Sequence, residues 1–292
     1  MIFVTGASGN VGREVVAELI RHKADFRIGV HGSAADIESP FHQNIAFDFW
    51  KPETFAPAVE GCNAVFLLRP PAISNTKATL NVFLDVAWRR GVTHVVFLSV
   101  TGAAGNPLVP HHAVEQHLRS GPQSWTILRP GFFVQNLGDA YRRDIYEDDM
   151  IYVPAGAGNV AFIDVCDIAE VAVMALMNPI AHNSKAYTLT GPNAVSFADV
   201  AHVLSVALAR HITYTPASVV GYMRHLQARG LPLTQRLIQT VLHVGLKFGQ
   251  AQQVNPTLAQ LLSHPPRTVN DYVMSHLDLW QKPGVKREGK II

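Results

Sequence analysis

Short apolar runs alternate with longer amphipathic stretches through the first two-thirds of the chain. A short continuous apolar run is typical of a strand buried on both faces, and apolar residues at helical spacing predict a helix. The predicted strands are 2–4, 26–30, 44–47, 64–68, 94–98, 125–128 and 186–189, and the helices between them are 11–20, 79–90, 111–119 and 165–177. This alternation favours parallel βαβ units, and therefore an α/β fold with helices on both faces of one sheet.

The pattern becomes mostly helical after about residue 190, with predicted helices at 196–209, 218–229, 232–248 and 268–279. We therefore expect two domains, residues 1–190 with the parallel sheet and a smaller, helix-rich domain of residues 191–292. The irregular segment 137–160 is left open to either domain. The tail, residues 282–292, is expected to be poorly ordered.

Composition narrows the class of protein. Apolar residues make up 48% of the 292 residues and charged residues 16%, which is enough material for a large core. The formal net charge of +2 excludes a strongly basic nucleic-acid-binding protein, and two cysteines exclude a disulfide framework. A glycine-rich turn is reached by Gly6, which leaves no room for a leader peptide, and no apolar run approaches about 18 residues. We expect a cytoplasmic protein without a membrane span.

The C-terminal third contains a stretch without carboxylates. No Asp or Glu occurs between Val200 and Asn270, whereas the same stretch contains Arg210, Arg224, Arg229, Arg236, Lys247 and Arg267. These cations form either a positive face for an anionic ligand, a protein partner or a lipid surface, or ordinary helix caps and ion pairs. Helix 232–248, apolar on most sides, indicates core packing or a homodimer interface, with membrane-surface association as a weaker alternative.

A glycine loop joins the first strand to the first helix, with the sequence TGASGNVG at residues 5–12. Gly6 permits the tight turn, Gly9 lets the backbone approach a pyrophosphate, and Gly12 allows close packing of helix on strand. The N-terminus of the helix then offers free N–H groups and a positive dipole end to phosphates. The loop, in this position, predicts dinucleotide binding.

The residue at the end of the second strand selects between NAD and NADP in such folds. In this chain that residue is His31. A protonated imidazole would favour the 2′-phosphate of NADP, so NADP is favoured and NAD stays open. Asp48, after the third strand, either accepts a hydrogen bond from the adenine amine or caps the short helix that starts near Pro52.

Many dehydrogenases use a Tyr-x-x-x-Lys pair, in which tyrosine is the acid/base and lysine lowers its pKa. No such pair occurs in this chain, and no lysine lies between Lys77 and Lys185. In the part of the chain where the pair would fall, His111 and Glu115 lie one helical turn apart. His111 is either a proton donor near the nicotinamide or a helix-start histidine bonded to the backbone. His111, His112 and His117 match no usual zinc spacing, so no metal is expected, and Cys62 and Cys166 are interpreted as core residues.

Several segments together resemble the NmrA-like family of atypical short-chain dehydrogenases/reductases. They are TGASGNVG (5–12), VFLLRPP (65–71), VVFLS (95–99), WTILRPGFFVQN (125–136), FIDVCDIA (162–169) and YTLTGP (187–192). The resemblance covers about residues 1–215. Within the family, the spacing of His111 and Glu115 is similar to that of triphenylmethane reductases and type-two NAD(P)H:quinone oxidoreductases. One departure is His31, because those members carry arginine there.

The resemblance implies a Rossmann-type doubly wound sheet with a small C-terminal substrate domain, and it implies roles for individual residues. The cofactor-binding residues are Gly6, Ala7, Ser8, Gly9, Asn10, Val11, Gly12, His31, Asp48, Phe49, Leu68, Arg69, Pro70, Ser99, Gly131, Phe132 and Phe133. The acceptor is expected to contact Thr101, Phe133, Gln135 and Asn136. Arg129 is expected to be a buried structural residue.

Two functions follow from these observations. The first is an NAD(P)H-dependent reductase that transfers hydride directly to a quinone-like or other conjugated small molecule. Such an acceptor requires positioning more than a strong acid, because its product anion is delocalised. The second is a non-catalytic dinucleotide sensor that binds a protein partner, which the missing dyad permits.

Overall fold

The computed structural model describes residues 1–32 and 39–282. Its strands are β1 (Ile2–Val4), β2 (Phe26–Val30), β3 (His42–Ala46), β4 (Ala64–Leu68), β5 (His94–Leu98), β6 (Ser124–Pro130), β7 (Met150–Val153), β8 (Asn159–Val160), β9 (Lys185–Leu189), β10 (Val195–Ser196) and β11 (Thr213–Pro216). Seven of them form one sheet in the order β3-β2-β1-β4-β5-β6-β9, with every neighbouring pair parallel. The predicted α/β class with a doubly wound parallel sheet is confirmed.

The helices are α1 (Asn10–Arg21), α2 (Phe55–Val59), α3 (Leu80–Arg89), α4 (Pro110–Ser120), α5 (Arg142–Glu147), α6 (Val165–Met177), α7 (Pro179–His182), α8 (Phe197–Leu208), α9 (Val219–Ala228), α10 (Leu233–Lys247), α11 (Thr257–Leu261) and α12 (Val269–Ser275). Short 3₁₀ turns occupy Pro52–Thr54, Ala103–Gly105, Val134–Leu137 and Leu277–Leu279. Within the described residues, none of these helices combines the length and the hydropathy that a bilayer span requires.

The chain divides into two compact units. The sheet unit consists of Met1–Gly131, Val165–Leu189 and Pro256–Pro265. The second unit consists of Phe132–Asp164, Thr190–Asn255 and the residues from Pro266 onward. Both units are therefore discontinuous in sequence, whereas the predicted domains are continuous ranges. The predicted boundary at residue 190 stays a prediction.

The sheet unit is held together by helices on both faces of its sheet. Alternate strand side chains point to opposite faces, and on one face Phe3, Val65 and Phe97 form a buried cluster with Phe55 of α2 and Phe83 of α3. On the other face α1 packs on α6, and α6 packs on β4, β5 and β6. The central strands are buried on both faces, which explains why they are continuous apolar runs in the sequence.

The second unit has its own aromatic core and two small strand pairs. Strand β7 pairs with β11 in parallel, and β8 pairs with β10 in antiparallel orientation. Phe162 and Phe197 pack edge to face in the core, and Ser196 begins α8 with a capping box to Asp199. The strand pairs were not predicted, because two- to four-residue strands joined across long sequence separations leave no readable alternation.

Most element boundaries lie within one residue of the predicted ones, and the larger differences are at the start of β3, at the end of β6, which extends to Pro130 instead of Leu128, and at the end of the last predicted helix. Strand β3 begins at His42, two residues before the predicted start, because an edge strand exposes polar side chains that conceal it in the apolar pattern. The last predicted helix ends at Ser275, since His276 leaves the helical backbone and its ring bonds to the carbonyl of Tyr272. The prediction for the tail falls almost entirely on residues outside the described ones.

Candidate functional site

The glycine loop forms a tight turn between β1 and α1. Gly6 has a φ of +68°, which favours glycine, and its carbonyl accepts a hydrogen bond from the N–H of Gly9 at 3.0 Å. A Cβ on Gly12 would lie 2.0 Å from the carbonyl oxygen of Gly6, so only glycine permits this approach of helix to loop. Gly9 is also the N-cap of α1 and has no side chain to cap the first N–H groups. These N–H groups and the helix dipole suit a phosphate.

A cavity of about 500 Å³ opens at the carboxyl ends of the first strands of the sheet. Its lining residues are Thr5, Gly6, Ala7, Ser8, Ile28, Gly29, Val30, His31, Phe47, Asp48, Phe49, Trp50, Pro70, Ala72 and Ile73. The carboxyl ends of parallel strands, next to the point where the strand order reverses, are where dinucleotides bind in such sheets. The size, the glycine cradle and the mixed polar and apolar lining fit the adenosine end of a dinucleotide.

Many of the predicted cofactor residues meet at this cavity, and others lie beside it. Gly6, Ala7, Ser8, His31, Asp48, Phe49 and Pro70 line it, whereas Gly9, Asn10, Val11 and Gly12 form the loop end and first turn of α1. Leu68 donates its N–H to Thr5 Oγ1 at 2.8 Å. Trp50, Ala72 and Ile73 were not predicted. For these three residues, the one feature of the sequence that indicates a role in binding is the tryptophan directly after Phe49, which is 62% exposed.

His31 and Asp48 face each other at the rim of the cavity. Nε2 of His31 lies 3.3 Å from Oδ2 of Asp48, and the imidazole is 79% exposed. The other carboxylate oxygen of Asp48 accepts the N–H of Trp50 at 2.9 Å, and Lys51, not Asp48, is the N-cap of the following turn. Asp48 therefore stabilises the loop before the short helix with one oxygen and leaves Oδ2 facing His31.

Half-buried Arg69 and buried His111 form a hydrogen-bonded pair in the sheet unit. Nε–H of Arg69 donates to Nε2 of His111 at 3.2 Å, while the guanidinium also donates to the carbonyl of Ile73 at 2.6 Å. Burial lowers the pKa of His111 to about 4, and the nearby Arg69 charge lowers it further than Glu115 raises it. The imidazole is therefore neutral at pH 7, with its proton on Nδ1. That Nδ1 is buried and has no hydrogen-bond partner within the described residues.

Glu115 does not bond to His111 but anchors a separate buried ion pair. Ser99 Oγ donates to its carboxylate at 2.6 Å, and Arg129 donates Nε–H to the same oxygen at 3.0 Å. Burial raises the pKa of Glu115, but the hydrogen bonds from Arg129 and Ser99 outweigh burial, so the net direction is downward. Arg129 therefore forms an ion pair within the unit. The hydroxyl of Ser99, which was predicted to face the cofactor, donates its hydrogen bond to Glu115.

The remaining predicted residues of the sheet unit lie at the end of β6. Thr101 donates its hydroxyl to the carbonyl of Pro130 at 3.0 Å, and Gly131 donates its N–H to the carbonyl of Leu189 at 2.8 Å. The Thr101 bond fixes the loop after β5 against the end of β6, and the Gly131 bond joins the end of β6 to the end of β9. They leave the role of both residues toward a ligand as a prediction.

Three predicted acceptor residues, Phe133, Gln135 and Asn136, belong to the second unit, as does Phe132, which was predicted to bind the cofactor. Phe132 packs edge to face on Phe162 and on the ring of His243, and it is half-buried. Gln135 is buried and donates to Asp164 at 2.9 Å, and Asn136 donates its amide to the carbonyl of Phe133 at 3.0 Å. The aromatic side of this group is therefore preorganised by its own unit.

The histidines at the start of α4 have separate partners. The ring of His112 bonds to the carbonyl of Ala103 at 2.8 Å, and His117 pairs with Asp85 at 2.8 Å. The structure brings together a different group, Asp167, Glu170 and His264, whose ligand-type atoms lie within 4.8 Å of one another. His264 already lies 2.8 Å from Glu170 in that group, as an ion pair does, and the expectation of no metal stays a prediction. Cys62 is buried as predicted, whereas Cys166 is only partly buried.

Comparison with known proteins agrees with this geometry. Residues 6–179 match the family model described as NAD(P)H-binding. The NAD(P)H azoreductase of Xenophilus azovorans is 32% identical over 284 residues, which cover 94% of this chain and 98% of the relative. An uncharacterized oxidoreductase of Bacillus subtilis is 29% identical over 282 residues, covering 96% of each chain.

Solved structures share the fold. The Citrobacter sp. triphenylmethane reductase complexed with NADP(H) has a TM-score of 0.84 at 21% identity, covering 94% of this chain and 99% of that one. The NADPH-dependent quinone oxidoreductase of Escherichia coli complexed with NADPH has a TM-score of 0.84 at 22% identity, with coverages of 95% and 100%. NmrA, a negative transcriptional regulator in complex with NADP, has a TM-score of 0.76 at 16% identity, with coverages of 95% and 95%.

The parallel sheet, the glycine loop and the cavity at the strand ends define a Rossmann-type dinucleotide-binding protein. The family-model match covers more than half of the residues, and the azoreductase match extends over almost the whole chain. The chain therefore belongs to the NAD(P)H-binding family, and it is an NAD(P)H-dependent oxidoreductase. The resemblance to NmrA-like proteins that the sequence motifs indicated is confirmed.

Proposed function

We propose that this oxidoreductase reduces a conjugated small-molecule acceptor, such as an azo dye or a quinone, and prefers NADPH. The names of the azoreductase relative and of the dye- and quinone-reducing structural neighbours support this acceptor class. The observation that carries the proposal is the Arg69–His111 pair, a neutral imidazole with an unsatisfied N–H, in a chain without a Tyr-x-x-x-Lys dyad.

The residues of the sheet unit would hold the dinucleotide. The N–H groups at the start of α1 would bind the pyrophosphate, and Gly6, Ala7 and Ser8 would lie against it. His31 would contact the 2′-phosphate, and Asp48 Oδ2 would hold the imidazole ring in place from the other side. Bound NAD(P)H supplies the hydride.

His111 would act as a neutral hydrogen-bond donor. A pKa of about 4 makes the imidazolium rare at pH 7, so proton transfer from this side chain is disfavoured. Arg69 fixes the tautomer by donating to Nε2, which leaves Nδ1–H to polarise a ligand oxygen or nitrogen. The proton that completes the reduction then comes from water. The acceptor requires positioning more than acid catalysis, because its anion is delocalised.

The predicted acceptor residues would provide the aromatic wall of the site. Phe132 is preorganised by its edge contacts with Phe162 and His243, and its ring remains partly exposed for a flat ligand. Phe133, Gln135 and Asn136 of the same unit would complete that wall. Aromatic contacts of this kind favour planar conjugated molecules over small alcohols.

The test is cofactor binding followed by turnover on the same sample. NADPH, NADH and their oxidised forms are titrated, and acceptor-dependent oxidation is then measured with an azo dye and a panel of quinones. We expect tighter binding of NADPH and measurable turnover, and His111→Ala should lower kcat about 10- to 100-fold. His112→Ala, next to it on α4 and bonded to the carbonyl of Ala103, is the matched control.

Two outcomes would contradict the proposal. Tight dinucleotide binding with no turnover on any acceptor would assign the chain to the sensor function. An unchanged kcat in His111→Ala, with the acceptor still reduced, would remove His111 from the mechanism and leave the reductase in place.

A further inference from the structure

Helix α10 exposes side chains that are more apolar than those it buries. Its buried residues are Thr240, His243 and Leu246. The exposed apolar residues on it and immediately after it are Leu233, Leu237, Ile238, Val241, Leu242 and Phe248, each at least half exposed. Of the two predicted interpretations of this helix, packing of its apolar side chains into the core is wrong, and a homodimer interface stays a prediction. Solvent-facing helices normally show the opposite distribution.

The exposed apolar residues occupy one side of the helix. At 100° per residue they lie within about half of its circumference, and the 15 residues of α10 extend over about 22 Å. Within that half, Thr234 is the one side chain with a polar group. A surface of this size and uniformity is unusual on a protein that has no partner there.

Helix α9 extends the same surface. Val219 and Val220, in its first turn, are 49% and 60% exposed. Val219 shares a cavity of about 490 Å³ with Val244, Lys247 and Phe248, so the start of α9 adjoins the end of α10. We define the α9–α10 face as Val219, Val220, Leu233, Leu237, Ile238, Val241, Leu242 and Phe248.

The charged side chains that α9 and α10 themselves carry are all positive. Arg224 and Lys247 are exposed, and within the described residues neither is paired with a carboxylate. Arg229, by contrast, is neutralised by Asp144, Glu147 and Asp148. Because the sequence from Val200 to Asn270 contains no Asp or Glu, no carboxylate lies on either helix. An apolar face on helices whose own charged residues are all cations is typical of a helix that lies in a membrane interface.

We propose that the α9–α10 face binds the surface of an anionic lipid bilayer, with α10 lying in the plane of the interface. Charge complementarity favours this occupant, because exposed cations beside an apolar face attract acidic headgroups. A second copy across a two-fold axis would bring the same cations together and is disfavoured by their repulsion. Fifteen residues are too few to span a bilayer, for which about 20 are needed, so the helix would lie on it.

The experiment is co-sedimentation of the full chain with vesicles, without cofactor or acceptor. Mixed phosphatidylcholine–phosphatidylglycerol vesicles should bind the protein, and phosphatidylcholine vesicles should bind it more weakly. The double variant Leu237→Asp/Val241→Asp should lose at least about tenfold in affinity, and Lys247→Gln about fivefold on anionic vesicles. Because these side chains are exposed, the variants should keep the fold, which circular dichroism and thermal unfolding would check.

Matched controls come from the sheet unit. Leu108 and Ile180 are 91% and 95% exposed, so Leu108→Asp/Ile180→Asp introduces the same charges at apolar surface positions outside the α9–α10 face. Lys51→Gln removes an exposed lysine there. Neither should change sedimentation with vesicles.

Three results would overturn the proposal. The first is that the wild-type chain does not sediment with either kind of vesicle. The second is that Leu237→Asp/Val241→Asp sediments as the wild type does. The third is a dimer in light scattering that this double variant separates into monomers, which would assign the face to a second copy. None of these measurements uses turnover, so they are independent of the proposed reductase activity.

Discussion

Two histidines, one in each unit, are buried to a similar degree and differ in how their nitrogens are used. His243 accepts a hydrogen bond from the hydroxyl of Tyr141 and donates to the carbonyl of Gln239 at 2.6 Å. His111 accepts from Arg69 alone, and its Nδ1 has no partner in the described part of the chain. Burial lowers the pKa of both to about 4. A low pKa alone therefore does not distinguish the two histidines, whereas the hydrogen bonding of their ring nitrogens does.

The surroundings of the two histidines differ in the same way. His243 lies among aromatic rings of the second unit's core, with Phe132, Tyr141 and Tyr222 at edge-to-face distances. His111 starts a helix of the sheet unit, where its partner Arg69 follows directly on β4. His243 is fully hydrogen-bonded within its own unit, whereas His111 keeps one buried donor, which the proposed function assigns to the ligand.

The largest effect is expected from breaking the glycine loop of the sheet unit. Gly12→Val places a side chain where even a Cβ would lie 2.0 Å from the Gly6 carbonyl oxygen, so the loop must move. We expect no detectable NADPH binding by calorimetry and a loss of more than about 4 kcal/mol in the free energy of unfolding. Gly105→Ala is the control, because a Cβ there meets open space. Retained NADPH affinity in Gly12→Val would show that the cofactor is held elsewhere.

The second-largest effect is expected from breaking the ion pair between Glu115 and Arg129. Glu115→Gln removes one partner and leaves Arg129 buried without its counter-charge, so unfolding in urea should show a loss of about 3–5 kcal/mol. Glu60→Gln breaks the exposed pair with Arg90 and should change little. A small loss in Glu115→Gln, similar to that of the surface variant, would mean that the pair does not hold α4 in place.

Replacing each of the two histidines tests directly whether His243 stabilises the fold and His111 contributes to turnover. His243→Gln should lower the free energy of unfolding by about 1–3 kcal/mol, because it leaves Tyr141 without its acceptor, and it should change kcat little. His111→Gln should do the reverse, with a large loss of kcat and a small loss of stability. Chemical denaturation and steady-state kinetics on both variants measure this. Equal kcat losses in the two variants would show that the satisfied histidine also contacts the reacting atoms.

The pH dependence of stability follows from the same pKa values. Each histidine has a folded pKa of about 4 against about 6.5 when unfolded, so the unfolded chain binds more protons between these values. Stability is therefore lost as the pH falls from 6.5 toward 4, by about 2 kcal/mol for each histidine at pH 5. His243→Gln should flatten this slope in urea unfolding measured from pH 7 to 4.5. An unchanged slope would show that the ring of His243 is solvated in the folded protein and does not cause this pH dependence.

The features that sequence reasoning predicted are local, and those it missed are long-range. Gly6, Gly9 and Gly12 act within one turn, so their spacing alone predicts the loop that the structure shows. Arg69 and His111 are 42 residues apart in sequence, and no local pattern pairs them. The sequence places Glu115 one helical turn from His111, but packing turns that carboxylate toward Arg129.

The second unit was harder to predict for the same physical reason. Helical spacing places α10 correctly within a residue or two of each end, but periodicity alone does not say which side of an apolar helix faces the core. Here the buried side is chosen by His243 and Thr240, whose partners lie on other turns and helices. Tertiary hydrogen bonding outweighs the apolar pattern in this helix, and no local pattern predicts such long-range bonds.

The smallest expected effect concerns the choice of dinucleotide at the rim of the cavity. His31 is largely exposed and touches Asp48, so its contact with a 2′-phosphate would be solvated and worth about 1 kcal/mol. His31→Gln should therefore lower the affinity for NADPH about fivefold, with the affinity for NADH and the melting temperature unchanged. His22→Gln, which removes another exposed histidine of the sheet unit paired with Glu18, should leave both affinities as they are. Equal weakening of NADPH and NADH would place His31 against the adenosine that both cofactors share, and the 2′-phosphate would then need another partner.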